Sequence, residues 1–144
     1  MTVDRSYIRV KAMLIARNAA GTHHLVSVNA PSTENPGGFH RLVGGSVELG
    51  ETHREAVIRE VDEELGARID DLEHLAVVEN IFTYNGEIGH ELVALYTGRL
   101  VPELGPEGGI LTEIDGSTAP VVWRPFQDAD VDVPLYPAAL RAWL

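Results

Sequence analysis

Apolar positions along the chain change their spacing several times, and each change predicts an element. Tyr7 to Arg17 is dense in apolar residues and bounded by the turn-like cluster Asn18 to Gly21, which predicts a strand. Leu25 to Val28 predicts a second strand, paired with the first as an early hairpin. Ala30 to Gly38 follows as a loop holding Pro31, Pro36, Gly37 and Gly38, with too little chain before it to form a domain. Gly44 and Gly45 break the chain again after the short apolar piece Phe39 to Val43.

The spacing then becomes helical. Val57, Ile58, Val61 and Leu65 give one apolar face over His53 to Leu65. Thr52 suits the N-cap, Glu55 three residues on completes a capping box, and Gly66 suits the C-terminal stop. Beyond the helix, Leu75 to Tyr84 and Glu91 to Val101 read as strands joined through a loop that opens on the turn signal Asn85-Gly86. Pro102 to Gly109 reads as a loop and Val121 to Trp123 as a short strand. Pro137 to Leu144 reads as a terminal helix whose proline fits the first turn. This order predicts an α+β fold, a mixed β-sheet with helices on both faces, in one domain over residues 1–144.

Composition narrows the partners. Eleven basic residues stand against 22 acidic ones, a net charge of -11, and Lys11 is the only lysine. Such a surface repels a polyphosphate backbone, so polymeric nucleic acid is not an expected partner. A small phosphate ligand stays open, because a divalent cation reverses the local sign. The absence of cysteine removes disulfides, thiolate nucleophiles and Cys-ligated zinc. Arg5, Arg9 and Lys11 precede an apolar stretch, Ala12 to Ala16, that is too short for a secretory signal, and no run approaches a membrane span. A cytoplasmic protein is the expectation.

The chemistry concentrates in GSVELGETHREAVIREVDEELG, from Gly45 to Gly66. At about 100° per residue, Glu60, Glu63 and Glu64 fall on one side of the predicted helix, beside its apolar stripe. A run of charge usually means a solvated face. Three clustered carboxylates are unfavourable without a partner, however, and a hard divalent cation is the obvious one. Oxygen ligands with no neighbouring His or Cys favour Mg²⁺, with Mn²⁺ as a substitute, over zinc.

The segment is similar to the Nudix box, G-x5-E-x7-R-E-U-x-E-E-x-G-U, U being a bulky aliphatic residue. Gly45, Glu51, Arg59, Glu60, Val61, Glu63, Glu64 and Gly66 occupy its fixed positions, and Ala67 stands at the last U. Seven specified residues at ~7% each coincide by chance in roughly one chain per million of this length. Many relatives carry proline before the double glycine, where this chain has Val43. The resemblance implies a Nudix-type α/β/α sandwich with the box at residues 45–67. It implies a pyrophosphohydrolase that cleaves a nucleoside diphosphate linked to another moiety, by attack of a metal-activated water. It also implies that Glu60, Glu63 and Glu64 hold the metal, that the Gly45 carbonyl adds a ligand, and that Glu51 and Arg59 form a structural ion pair. Relatives are often homodimers, so a homodimer is a further expectation.

A general base in this family often comes from a carboxylate outside the box, or else from a box glutamate such as Glu63 or Glu64. Glu79, Glu91 and Glu113 are the outside candidates, with Glu91 in the run GHEL and Glu113 in a loop able to close over the site. Arg41, Tyr84 and His90 are the candidate substrate contacts; Phe82 is a second aromatic able to stack on a base or to pack. Tyr84 lies about seventeen residues past the box, where the family associates a tyrosine with dinucleoside polyphosphate hydrolysis; where ADP-ribose-type members place a proline, this chain has Phe82. His23 and His24 lie near a predicted turn and are expected to be solvated. Candidate substrates are nucleoside triphosphates, dinucleoside polyphosphates and ADP-ribose-like compounds. The alternative is a Nudix-fold module that binds a nucleotide without cutting it, a reading that loss of box carboxylates would favour; none is lost here.

Overall fold

The computed structural model describes residues 7–144, so Arg5 lies outside the described residues. Its elements run β1 (Arg9–Ala16), β2 (His23–Asn29), β3 (Phe39–Ser46), α1 (His53–Leu65), β4 (Arg68–Tyr84) and β5 (Glu87–Val101). Then follow β6 (Gly109–Thr112), β7 (Thr118–Pro125), β8 (Leu135–Tyr136) and a 3-10 helix, Ala138–Trp143. The strands join in the order β4-β5-β1-β3-β2-β7-β6, with β8 on β3. The sheet is mixed: β1 runs parallel to β5 and β3 parallel to β8, while the other pairs are antiparallel.

Strand alternation sends β1 side chains to two cores. Ala12, Leu14 and Ala16 meet Ala56, Val57 and Val61 of α1 on one face. Met13 and Ile15 meet Val93, Leu95 and Leu140 of the 3-10 helix on the other. Helical cover therefore lies on both faces, with a thin layer on the second, where the expected terminal helix is a six-residue 3-10 turn. No helix among the described residues is long and apolar enough to cross a membrane.

Several local expectations are corrected. The early hairpin does not form, because β3 inserts between β1 and β2; only the isolated bridge between Arg17 and His24 joins those two segments. The C-terminal half of β3 pairs with β1 and its N-terminal half with β2, so the double glycine is carried within the strand to Ser46. Strand β4 starts directly after α1 and accommodates two register irregularities, between Asp70 and Glu73 and between His74 and Ala76. Ile58 is exposed, and the helix buries Ala56, Val57, Val61 and Glu64 instead. His24 is fully buried beside Phe126, with ring centroids 5.1 Å apart, because β2 extends back to His23 and carries it into the core.

The helix ends are locked locally. Thr52 Oγ1 accepts from the Glu55 amide at 3.1 Å and donates to the Glu55 carboxylate at 3.0 Å. Such a cap contributes about 1 kcal/mol. Gly66 takes φ 62° and returns its N–H to the Asp62 carbonyl, a left-handed conformation that glycine adopts without a side-chain penalty.

Candidate functional site

The three box glutamates do not share one environment. Val57, Val61 and Glu64 follow one another at spacings of four and three, so Glu64 occupies an inward position on the apolar stripe. It is 7% exposed, and its Oε1 has no hydrogen-bond partner. Burial pushes the Glu64 carboxyl up to about 9, and the nearby carboxylates of Glu113 and Glu60 push the same way. Glu60 is half-buried and is also raised by burial, against the lowering effect of its bond from Arg59. Glu63 points outward. A Cβ at Gly45 would lie 2.4 Å from Glu60 Cδ, so the glycine lets the β3 backbone approach the carboxylate where any larger residue would push the Glu60 side chain aside.

Arg59 is the hub of the surrounding charge. Its Nε donates to Glu51 Oε2 at 2.7 Å and its Nη2 to Glu51 Oε1 at 3.0 Å, a bidentate pair. Nη2 also donates to the Ser46 carbonyl at 3.1 Å, while Nη1 donates to Glu60 at 3.0 Å and Glu63 at 3.2 Å. The guanidinium holds Glu51 down to about 2, and Glu51 in turn raises Arg59.

The candidates outside the box separate by location. Glu113 lies in the turn between β6 and β7, held by Glu113 N–H to the Ser117 carbonyl at 2.8 Å, and its charge falls on Glu60 and Glu64. Glu91 is 2% exposed and engaged by Arg41 Nη2 at 3.4 Å and Asn80 Nδ2 at 3.0 Å. Glu79 is exposed on β4. Arg41 is thus beside Glu91, whereas His90 precedes Glu91 in β5 and projects from the opposite face, across from Ile81. Tyr84 lies at the end of β4 with its ring edge-on to Phe39 at 6.4 Å, and Phe39 packs likewise on Tyr136 at 5.7 Å. His23 bonds to Thr22 Oγ1 at 2.8 Å.

Lys11, to which the sequence alone assigns no site role, lies close to these charges. Its Nζ donates to Ser46 Oγ at 2.9 Å, and Arg9 Nη2 donates to the same hydroxyl at 3.2 Å. Burial brings the Lys11 ammonium down to about 8, helped by Arg41 and Arg9 and opposed by Glu91 and Glu60. The signal was available: Arg9 and Lys11 alternate with Val10 and Ala12 in register with the buried Met13 and Ile15, which turns both charges toward the interior face.

Among the described residues, no three His, Asp or Glu side chains are gathered into a ready-made metal cage. The arrangement fits an open site instead. An unpartnered buried carboxylate oxygen on Glu64, two further carboxylates beside it and a glycine cradle are donors for a hard cation that keeps water and substrate oxygens in its shell.

Relatives fit the same picture. A segment of 87 residues is 36% identical to the Mycobacterium tuberculosis protein named "Putative mutator protein MutT4", covering 60% of this chain and 33% of that one. The fold is similar to the crystal structure of a MutT NUDIX hydrolase from Burkholderia pseudomallei, with a TM-score of 0.61 and 23% identity over 84% of this chain and 85% of that one. A NUDIX hydrolase from Nitrosomonas europaea is similar at a TM-score of 0.61 and 16% identity, over 86% and 76%. The profile of the NUDIX domain matches residues 8–143, nearly the whole length over which the sheet, the capped helix and its carboxylates are built, and the chain belongs to the NUDIX family.

Proposed function

We propose that this chain is a metal-dependent pyrophosphohydrolase acting on a small nucleoside diphosphate linked to another moiety. Family membership supports pyrophosphohydrolase activity in general, and Nudix hydrolases generally use divalent metal ions. The observation that carries the reading to these residues is Glu64. A carboxyl placed on the buried stripe, lacking a partner for Oε1 and faced by Glu60 and Glu113, is costly as a carboxylate and keeps its proton unless a cation displaces it.

Glu60, Glu63, Glu64 and the Gly45 carbonyl are the proposed ligands of Mg²⁺, for which Mn²⁺ can substitute. The ion, when bound, neutralises phosphate charge and lowers the pKa of water. Glu113 is the proposed general base in preference to Glu91, since its charge reaches the box carboxylates while Glu91 is committed to Arg41 and Asn80. Glu51 holds Arg59 as a positioning pair. Arg41, beside Glu91 and Lys11, is the proposed substrate contact; Tyr84 packs on Phe39, and His90 is assigned no contact because it projects from the far face of β5.

The test is purified protein with Mg²⁺ and a panel of nucleoside triphosphates, dinucleoside polyphosphates and ADP-ribose, read by phosphate and nucleotide release. Turnover that disappears in Glu64→Gln and Glu63→Gln is the expected result. Tight nucleotide binding without cleavage of any compound, with Mg²⁺ or Mn²⁺, would make the chain a binding module instead.

A further inference from the structure

The cations near the site pose the same question as the carboxylates, with the sign reversed. In a chain of net charge -11, Arg9 and Lys11 stand together at the start of β1, and the charge of Arg41, from the N-terminal half of β3, reaches Lys11 as well. Arg9 and Lys11 both donate to a single neutral hydroxyl, Ser46 Oγ, and among the described residues no carboxylate lies within ion-pair distance of either. The charged groups that Lys11 feels are Arg9 on its own strand, Arg41 on β3, Glu91 on β5 and Glu60 on α1. Glu91 is already engaged by Arg41 and Asn80, and Glu60 by Arg59. Gathering like charges around a half-buried ammonium is unfavourable unless an anion joins them.

Ser46 fixes where that anion would sit. Its carbonyl is held by Arg59, and its chain neighbour Gly45 lies against the Glu60 carboxylate. The Ser46 hydroxyl points away from the face on which Gly45 meets Glu60, yet the Glu60 charge still reaches Lys11, so the two cations lie within electrostatic reach of the proposed metal-binding carboxylates.

We propose that Arg9, Lys11 and Arg41 form a seat for a substrate phosphate lying outside the cleaved linkage, so that the enzyme prefers substrates with three or more phosphates in a row. This inference rests on the pyrophosphohydrolase reading for the position of the linkage, and the seat itself does not depend on turnover. ADP-ribose and nucleotide sugars offer only uncharged groups past the diphosphate, whereas nucleoside triphosphates and dinucleoside polyphosphates offer another phosphate. Burial of Lys11, which brings its ammonium down to about 8, is consistent with a cation held ready for an anion.

The decisive measurement is calorimetric binding of inorganic pyrophosphate to the full chain in metal-stripped buffer. Replacing Lys11 by methionine, which keeps the bulk, should weaken binding about tenfold or more, as expected for loss of one charge-assisted hydrogen bond. Lys11→Arg should restore it. Arg9→Gln should weaken it as well, and provides a second variant if the buried substitution unfolds the protein. Wild-type affinity, relative to Lys11→Met, should decline as pH rises through about 8. With Mg²⁺ present, both variants should raise KM for a nucleoside triphosphate while leaving KM for ADP-ribose unchanged. Equal pyrophosphate affinity in wild type and both variants overturns the seat. An equal loss for both substrate classes also overturns it, since it would place the cations on the linkage itself. If the wild type hydrolyses nothing yet binds pyrophosphate through Lys11, the seat stands and the hydrolase reading falls.

Discussion

Two charged clusters in this protein use the same side chains to opposite ends. In the first, Arg124 is fully buried and donates to Asp128 Oδ2 through Nε at 3.0 Å and Nη2 at 2.8 Å, while Arg141 donates to Asp128 Oδ1 at 2.8 Å. The remaining guanidinium nitrogen finds the Val133 carbonyl at 2.6 Å and His40 at 3.0 Å, so every nitrogen of the buried Arg124 guanidinium has a partner. In the second, one guanidinium, Arg59, is shared among Glu51, Glu60 and Glu63, while Glu64 and Glu113 add two further carboxyl groups with no ion-pair partner among the described residues. The Arg124 network holds loops to the core, whereas the box cluster leaves a buried Glu64 oxygen without a partner.

The difference predicts opposite responses to pH. Asp128 is held down to about 2 by Arg141 and Arg124, so the folded state releases its proton more readily than the unfolded chain. Its stabilisation is present above about pH 4 and is lost as pH falls toward 2. Glu64 is raised to about 9, so the folded state retains its proton longer. Its effect is favourable below about pH 4.5, and metal-free stability declines as pH rises from there to about 9.

The sharpest break in the comparison is Glu64→Gln. Turnover should fall roughly 10³-fold, in the range set by removing a key electrostatic group, while the metal-free protein becomes more stable and its alkaline decline flattens. Unchanged turnover in a folded variant would remove Glu64 from the site. Asp128→Asn should do the reverse, costing about 3–5 kcal/mol in chemical denaturation because two arginines lose their carboxylate. Its Mg²⁺ affinity should not change; a loss of metal affinity would show that the two clusters are coupled. Glu113→Gln should lower kcat on the order of 10²-fold with little change in KM, measured at saturating Mg²⁺. If Glu91→Gln gives that signature and Glu113→Gln does not, the base lies on β5. The mildest change is Glu51→Gln, which should weaken Mg²⁺ binding about tenfold by freeing Arg59 to compete for Glu60 and Glu63.

How much of this was legible in the sequence depended on range. The helix, its Thr52 cap and its Gly66 stop are encoded within a few residues, and they stand where the spacing places them. The pairing of β1 is set by strands that arrive later in the chain, β3 and β5, and no local pattern distinguishes that from a hairpin with β2. Spacing placed Glu60, Glu63 and Glu64 on one side of α1 without revealing depth. Ile58 reads as apolar and lies outside, whereas Glu64 reads as charged and lies inside, because the helix is rotated to present Val57 and Val61 to β1. His24 lies at the boundary of a turn and an apolar strand in sequence, and its burial is set by neighbours distant in the chain, Phe126 and Arg124.

Arg59 has one more consequence. It already occupies Glu60 and Glu63 as a resident counter-ion, so a divalent cation taking the proposed ligands would load by exchange rather than by addition. The displaced guanidinium has somewhere to remain, on Glu51 and the Ser46 carbonyl, and needs only to release two of its bonds without leaving the helix. A single positive charge delivered one bond at a time is poorly matched to two carboxylates at once, while a doubly charged ion answers both. On the proposed reading, selectivity for divalent over monovalent cations would be set by the occupant that the ion must replace.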